Sequence, residues 1–375
     1  MGLINIRLGD YIERSTINNK DLKYGVDLIV GVNSQGVFAT PKGNTDGVDL
    51  KPYKIVENGA FVYNPTRLEL GSIAYRTEGL CIVSHLYMVF YLTDEGKKII
   101  DPMWLYIYFR RSEFCREVKF RNFGSQRPEF NFNDMSDIVI PLPDIEIQEK
   151  YVDIYNAMLE NQKSYEYRLE DLKLACDAYI EDLKHGIHCK AIGPYVERHD
   201  VRNRTNEIKN VMGVSTSKEF REPTSKVNRN ELSNYKIVRP RQISFVQTTH
   251  NEKVFAYAFN NTEDDIVVTS VNEVFSVDED KLLPEYLCMF FNRTEFDRYA
   301  RFHSWGSARE TFTWDDLVKV EIPIADMKTQ KSIADIYKAY KERKAINEKL
   351  KEQIKDICPI LIKGSIEEAR KAKEA

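Results

Sequence analysis

The sequence predicts an α+β protein of two similar mixed α/β domains separated by two long helices, which pair as an antiparallel coiled coil about a pseudo-twofold axis. Three observations predict it. Residues 102–157 match residues 284–339 at a constant offset of 182, with 21 identities in 56 ungapped positions, a repeat far longer than a solenoid unit. Each copy of the repeat is followed by some forty residues whose apolar positions alternate in steps of three and four, the seam of a coiled coil. The first of these segments, 144–184, carries 5 Lys/Arg against 11 Asp/Glu, whereas 326–375 carries 13 against 9, so their charges complement each other.

The chain order gives four blocks. Residues 1–143 read as the first domain: β-rich runs at 28–32, 60–63, 73–75 and 82–92 are separated by Gly, Pro, Asn and Asp turn signals. Residues 102–120 have helical spacing, and 138–141 form a short strand. Residues 144–188 hold the first long helix, with Asp144 placed to cap it and Gly186 to end it behind Lys184 and His185. Its seam is read as Tyr151, Ile154, Met158, Gln162, Tyr165, Leu169, Leu172, Cys176, Tyr179 and Leu183. Residues 189–325 repeat the first domain. IGPYVER at 192–198 echoes LGDYIER at 8–14, MGVSTSKEF at 212–220 echoes VGVNSQGVF at 30–38, and KIV recurs at 54 and 236. Residues 326–375 hold the second long helix, capped by Asp326. Its seam runs through Ile333, Ile336, Tyr340, Arg343, Asn347, Leu350, Ile354, Ile357 and Leu361, with a bend or an unpaired carbonyl expected at Pro359. Gly364 is expected to close its regular part. Some forty residues at about 1.5 Å each make a rod of about 60 Å, too long for one small domain to cover.

Composition bounds the rest. The 375 residues, 42% hydrophobic and 30% charged, are ordinary for a globular protein. Six scattered cysteines without a CxxC pair suit a reducing cytosol, the amino-terminal residues carry no secretory pattern, and the apolar run at 81–92 is too short to span a bilayer. A cytoplasmic protein is expected. The net charge of −4 does not suggest a nucleic-acid partner, but residues 198–253 carry 12 Lys/Arg against 6 Asp/Glu, a basic stretch set apart from the acidic helix.

The junctions GSQRPEFNFNDMSDIVIPLPDIEIQ and GSARETFTWDDLVKVEIPIADMKTQ resemble the domain-to-helix junction of the specificity subunits of type I restriction-modification systems. The likeness covers the whole domain–helix–domain–helix chain. It departs at Asp144, which stands where a second proline is usual, and at Ala325, which faces Pro143 of the first copy. Ile147 and Thr329 replace the glutamate before the glutamine. The resemblance implies a bacterial or archaeal subunit that reads DNA and does no chemistry itself, its two target recognition domains spanning 1–143 and 189–325. Each would read one half of an asymmetric bipartite site in double-stranded DNA, with the helices setting the spacer. It also implies two modification subunits carrying S-adenosylmethionine that methylate adenine N6, and a motor/nuclease subunit as an optional further partner. No cofactor is expected in this chain.

Loops that diverge on a repeated scaffold are where two half-sites would be told apart, and base readout needs forked donors and amides backed by cations on phosphates. The candidates in the first domain are Asn64, Thr66, Arg67, Arg76, Ser125, Gln126 and Arg127. In the second they are Thr248, Thr249, His250, Asn251, Lys253, Ser307 and Arg309, with Arg202, Arg204 and Lys218 as phosphate candidates. Arg127 and Arg309 are equivalent, so both are assigned to phosphate, because a shared residue cannot specify two sequences. Catalytic readings find little support. Asn-Pro-Thr at 64–66 lacks the second proline and the aromatic of an amino-methyltransferase motif. Pro143-Asp144 with Asp171-x-Lys173 imitates a nuclease pattern but falls on a seamed helix. His185, His188 and Cys189 lack a fourth metal ligand in sequence, and no phosphate-binding loop of the Walker type is present. Two competing readings are a coiled-coil scaffold or adaptor that does not read DNA, and a self-contained methyltransferase or nuclease.

Overall fold

Both copies of the repeat fold into the same set of antiparallel pairings. The computed structural model describes residues 3–41, 43, 45, 47–122, 129–248, 254–304 and 310–374. The chain divides into two units, Met1–Ser164 with Asn347–Ala375, and Tyr165–Ile346. Each unit therefore takes one domain and a part of each long helix.

In the first unit a four-stranded antiparallel sheet has the order Ile12–Ser15, Met88–Leu92, Phe61–Tyr63, Ile73–Tyr75. Ile4–Arg7 pairs with Val139–Leu142, and Lys54–Val56 with Cys81–Val83. The second unit repeats this with Val196–His199, Asn272–Val277, Ile243–Val246 and Tyr257–Phe259 in its four-stranded sheet. Cys189–Ala191 pairs there with Glu321–Pro323, and Lys236–Val238 with Ile266–Val268. The strands alternate as a two-residue period requires: Phe61, Tyr63 and Phe90 face one core, while Val62, Ala74 and Val89 face a smaller one.

The expected helix over 102–120 is two helices, Pro102–Phe109 and Ser112–Arg121. Asp101 opens the first, its carboxylate accepting from the N–H groups of Met103 at 2.7 Å and Trp104 at 2.9 Å, with Pro102 in the first helical position. Every residue from Trp104 to Phe109 is buried, so this helix is apolar all round and runs through the core. The break falls at Arg110 and Arg111. Arg110 reaches back to donate to the Gly71 carbonyl, and Arg111 leaves the helical conformation to lie 3.8 Å over the Tyr108 ring.

The first long helix spans Ile145–Gly186 and ends at the predicted glycine. The second spans Met327–Glu374, passing through both Pro359 and Gly364. Asp326 caps it as expected, accepting from the Thr329 N–H at 3.0 Å and the Thr329 hydroxyl at 2.7 Å. Gly364 does not end the helix. A Cβ there would lie 2.8 Å from a carbon of the Tyr151 ring, so the glycine lets the first long helix approach. In the first unit the two helices run antiparallel: Lys150 and Tyr151, near the start of one, both donate to Glu368, near the end of the other, at 2.8 and 3.0 Å.

The buried seam departs from the predicted one at two places. Ile154 is 45% and Tyr179 52% exposed, and their neighbours Tyr155 and Ile180 are buried instead. Tyr155, Gln162, Leu169 and Cys176 follow one another at seven-residue intervals, as do Asn347, Ile354 and Leu361, the heptad period of paired helices. Gln162 and Asn347 meet inside the first unit, the Gln162 amide donating to Asn347 Oδ1 at 2.9 Å.

Candidate nucleic-acid interface

The position of each domain on its helix is fixed by a buried glutamine. Gln148 accepts from the Asp101 N–H at 2.9 Å and donates to the Ile99 and Pro143 carbonyls at 2.8 and 2.7 Å. In the second unit Gln330 accepts from the Leu283 N–H at 2.9 Å and donates to Lys281 and Ala325 at 2.9 and 2.8 Å. Every partner is shifted by the repeat offset. The amide is the one side chain that supplies an acceptor and two donors together, which explains why glutamine stands at both junctions. The same side chain ties the helix start, the segment before the core helix and the end of the preceding strand.

The loops carried by these anchored sheets hold the candidate readers. After the strand Phe61–Tyr63 the chain turns through 64–67. Asn64 Oδ1 accepts from the Thr66 N–H at 3.1 Å and the Thr66 hydroxyl at 2.9 Å, so the Asn64 carboxamide oxygen is spent on an Asx turn. Gly71, at φ +87, closes the short helical turn Leu68–Leu70 that follows. Thr66 and Arg67 are exposed on this turn. Arg76 lies elsewhere. The pairing of Phe61 with Tyr75 and of Tyr63 with Ile73 puts 64–67 at the closed end of a hairpin and Arg76 at its open end. There Arg76 lies 5.2 Å over Phe38, its Nε buried without a partner. The hairpin thus separates candidates that the sequence listed together.

In the second unit Arg202 is committed inside the protein, to the Asn234 carbonyl at 2.8 Å and to Asp200 at 2.8 Å. Arg204 is exposed and donates to Asn234 Oδ1 at 3.4 Å. Lys218 is corrected as a phosphate candidate: it is buried, donating to the Phe291 carbonyl at 2.7 Å and to Asp297 at 2.8 Å. A lysine held this way ties its loop to a helix rather than meeting a ligand. Thr248 is half-buried and bridges Thr311 through the backbone. Ser125, Gln126, Arg127, Thr249, His250, Asn251, Lys253, Ser307 and Arg309 lie outside the described residues.

Sequence reasoning passed over a charged cluster beside these loops. Glu273, buried, accepts from Arg198 Nε and Nη2 at 2.8 Å each and from the Gln247 amide, and Lys236 Nζ lies 3.5 Å away. Lys236 also lies 3.4 Å from Asp200. The signal was present, since Arg198 ends one repeated anchor and Lys236 begins another. Their common destination was not, because the strands that bring them together are far apart in sequence.

Two copies of one scaffold, each carrying polar loops on an antiparallel sheet, define a recognition protein with duplicated binding modules. The chain belongs to the family of type I restriction modification DNA specificity domains, whose model matches residues 4–170 and 194–356. It is a DNA sequence-recognition subunit of a type I restriction-modification system. The fold is similar to that of the type I S subunit from M. genitalium, at 10% identity and a TM-score of 0.60, covering 97% of this chain and 96% of that one. The HsdS subunit from Thermoanaerobacter tengcongensis aligns over 97% of this chain and 96% of its own, at 15% identity and a TM-score of 0.39. No curated protein matches in sequence.

Proposed function

We propose that the chain reads an asymmetric, bipartite site in double-stranded DNA, one half with the loops of each domain. The two long helices would set the length of the unread spacer. Two modification subunits bind it in this reading and methylate adenine N6 with S-adenosylmethionine, and a motor/nuclease subunit is a further partner. One observation carries the reading. The sheet scaffold and its glutamine clamp are duplicated, while the loop after the third strand of the sheet differs. The first copy reads Pro65-Thr66-Arg67 there, and the second reads Gln247-Thr248-Thr249 at the same offset. Equal scaffolds place loops equally, and unequal loops meet unequal bases.

The test is to map methylated adenines in a host that expresses this chain with its methyltransferase partner. A two-part motif with one methyladenine in each half is expected. Exchanging residues 189–325 for the corresponding segment of another family member should change one half and leave the other. A continuous motif, or none, would overturn the reading.

A further inference from the structure

The charged cluster of the second unit has a counterpart in the first, and the counterpart lacks its anion. Arg14 pairs across its sheet with Phe90 as Arg198 does with Phe275, and Lys54 begins the strand Lys54–Val56 as Lys236 begins Lys236–Val238. Tyr63 faces Met88 in the first unit where Phe245 faces Glu273 in the second, so Met88 occupies the position of the buried carboxylate. Thr16, two residues after Arg14, stands where Asp200 follows Arg198. Both acids that neutralise the second cluster are therefore missing from the first, while both cations remain.

The cations that remain are poorly compensated. Lys54 is 7% exposed, and its ammonium donates to the Tyr87 carbonyl at 2.6 Å. Among the described residues neither Lys54 nor Arg14 has a carboxylate within ion-pair distance. Burial, and then the charge of Arg14, push the Lys54 ammonium below its ordinary pKa. A buried ammonium beside an exposed guanidinium with no counter-ion costs stability, and an anion arriving from outside would relieve that cost. The Tyr63 hydroxyl, buried without a partner, lies close enough to feel first the Asp134 carboxylate and then the Arg14 charge. The 64–67 turn begins at the next residue, so the cluster borders the loop assigned to reading.

We propose that Arg14 and Lys54 form an anion seat for one phosphodiester of the DNA backbone, which supplies from outside the first domain the negative charge that Glu273 supplies from within the second. The proposal rests on the DNA-reading assignment. Arg14, exposed, meets the phosphate directly, and Lys54 supplies charge from beneath it. The second domain cannot use this place, because its carboxylate is built in. The two domains therefore grip the backbone differently although they share a scaffold.

The test measures binding of the methyltransferase-assembled chain to duplex DNA across a salt series, for wild type, Arg14→Met and Met88→Glu. Arg14 is exposed and Met88 half-buried, so Arg14→Met keeps the test open if Met88→Glu unfolds. Each variant should weaken binding alike for matched and mismatched sequences and flatten the slope of log affinity against log salt by about 0.9, the value of one lost phosphate contact. A duplex with a neutral methylphosphonate at the seated position should bind wild type and Arg14→Met equally, which distinguishes a backbone phosphate from free inorganic phosphate held in the same place. If wild type binds DNA and both variants match it in affinity and slope, the seat is disproved and the DNA-reading assignment stands. If wild type binds no DNA at all, both fall.

Discussion

Gln148 and Gln330 each satisfy one N–H and two carbonyls in a buried junction. Gln148→Leu keeps most of the volume and removes all three partners, and each buried group left unsatisfied costs about 1–3 kcal/mol. A loss of at least about 2 kcal/mol is expected in urea unfolding, and an unchanged midpoint would show that the clamp carries no weight. Both glutamines lay in the repeated junction and were readable as a shared feature. Their role was not, because the partners Ile99 and Asp101 belong to another segment of the chain. The same limit governs the cations. Arg202 and Lys218 could be picked out as basic residues in a basic stretch. That the Asn234 carbonyl and Asp297 consume them is a fact of pairing between distant elements, which residue type alone does not encode.

At the scale of the element the sequence was more legible. Periodicity gave both long helices, the cap at Asp326 and the stop at Gly186. It also placed Gln162 and Asn347 on the seam. The errors there were of phase. A stripe of three-and-four spacing admits Ile154 or Tyr155, and Tyr179 or Ile180, and only the partner surface decides which is buried. The Gln162–Asn347 pair gives a prediction of its own. Replacing either residue alone by Leu breaks this buried hydrogen bond and should cost about 1–3 kcal/mol. Replacing both by Leu should recover most of that, since an apolar pair is often as stable as the polar pair it replaces. A double-mutant cycle on unfolding free energies reads this directly, and strictly additive losses would show that the pair is not coupled. Gly364, expected to end a helix, instead admits the Tyr151 ring. Gly364→Val should therefore overpack the helix contact and cost about 1–3 kcal/mol, seen as a lowered thermal midpoint. A neutral or raised midpoint would mean that Tyr151 moves aside freely.

For the whole molecule, the duplication, the order of domains and helices and the family could all be read from the repeat and its junctions. How the chain is partitioned could not be read so easily. The first unit takes in Ile354, Cys358, Leu361 and Ile362 of the second long helix as part of its core, and the Trp104 indole donates to Ser365 at 3.1 Å. A chain cut after Ile346 should lose the cooperative unfolding of the first unit while keeping that of the second, as followed by hydrogen exchange. Equal protection in both units of the shortened chain would count against this partition.

That partition also bears on how the polypeptide is made. The second unit, Tyr165–Ile346, is one continuous stretch, so it can close as soon as it clears the ribosome. The first is begun earlier, but its core takes in Ile354, Cys358, Leu361 and Ile362 and is sealed only once they are made. Until then a nascent chain carries Trp104, Tyr155 and their neighbours without the helix that covers them, a surface for which chaperones compete. Of the two units, the one begun earlier is sealed later.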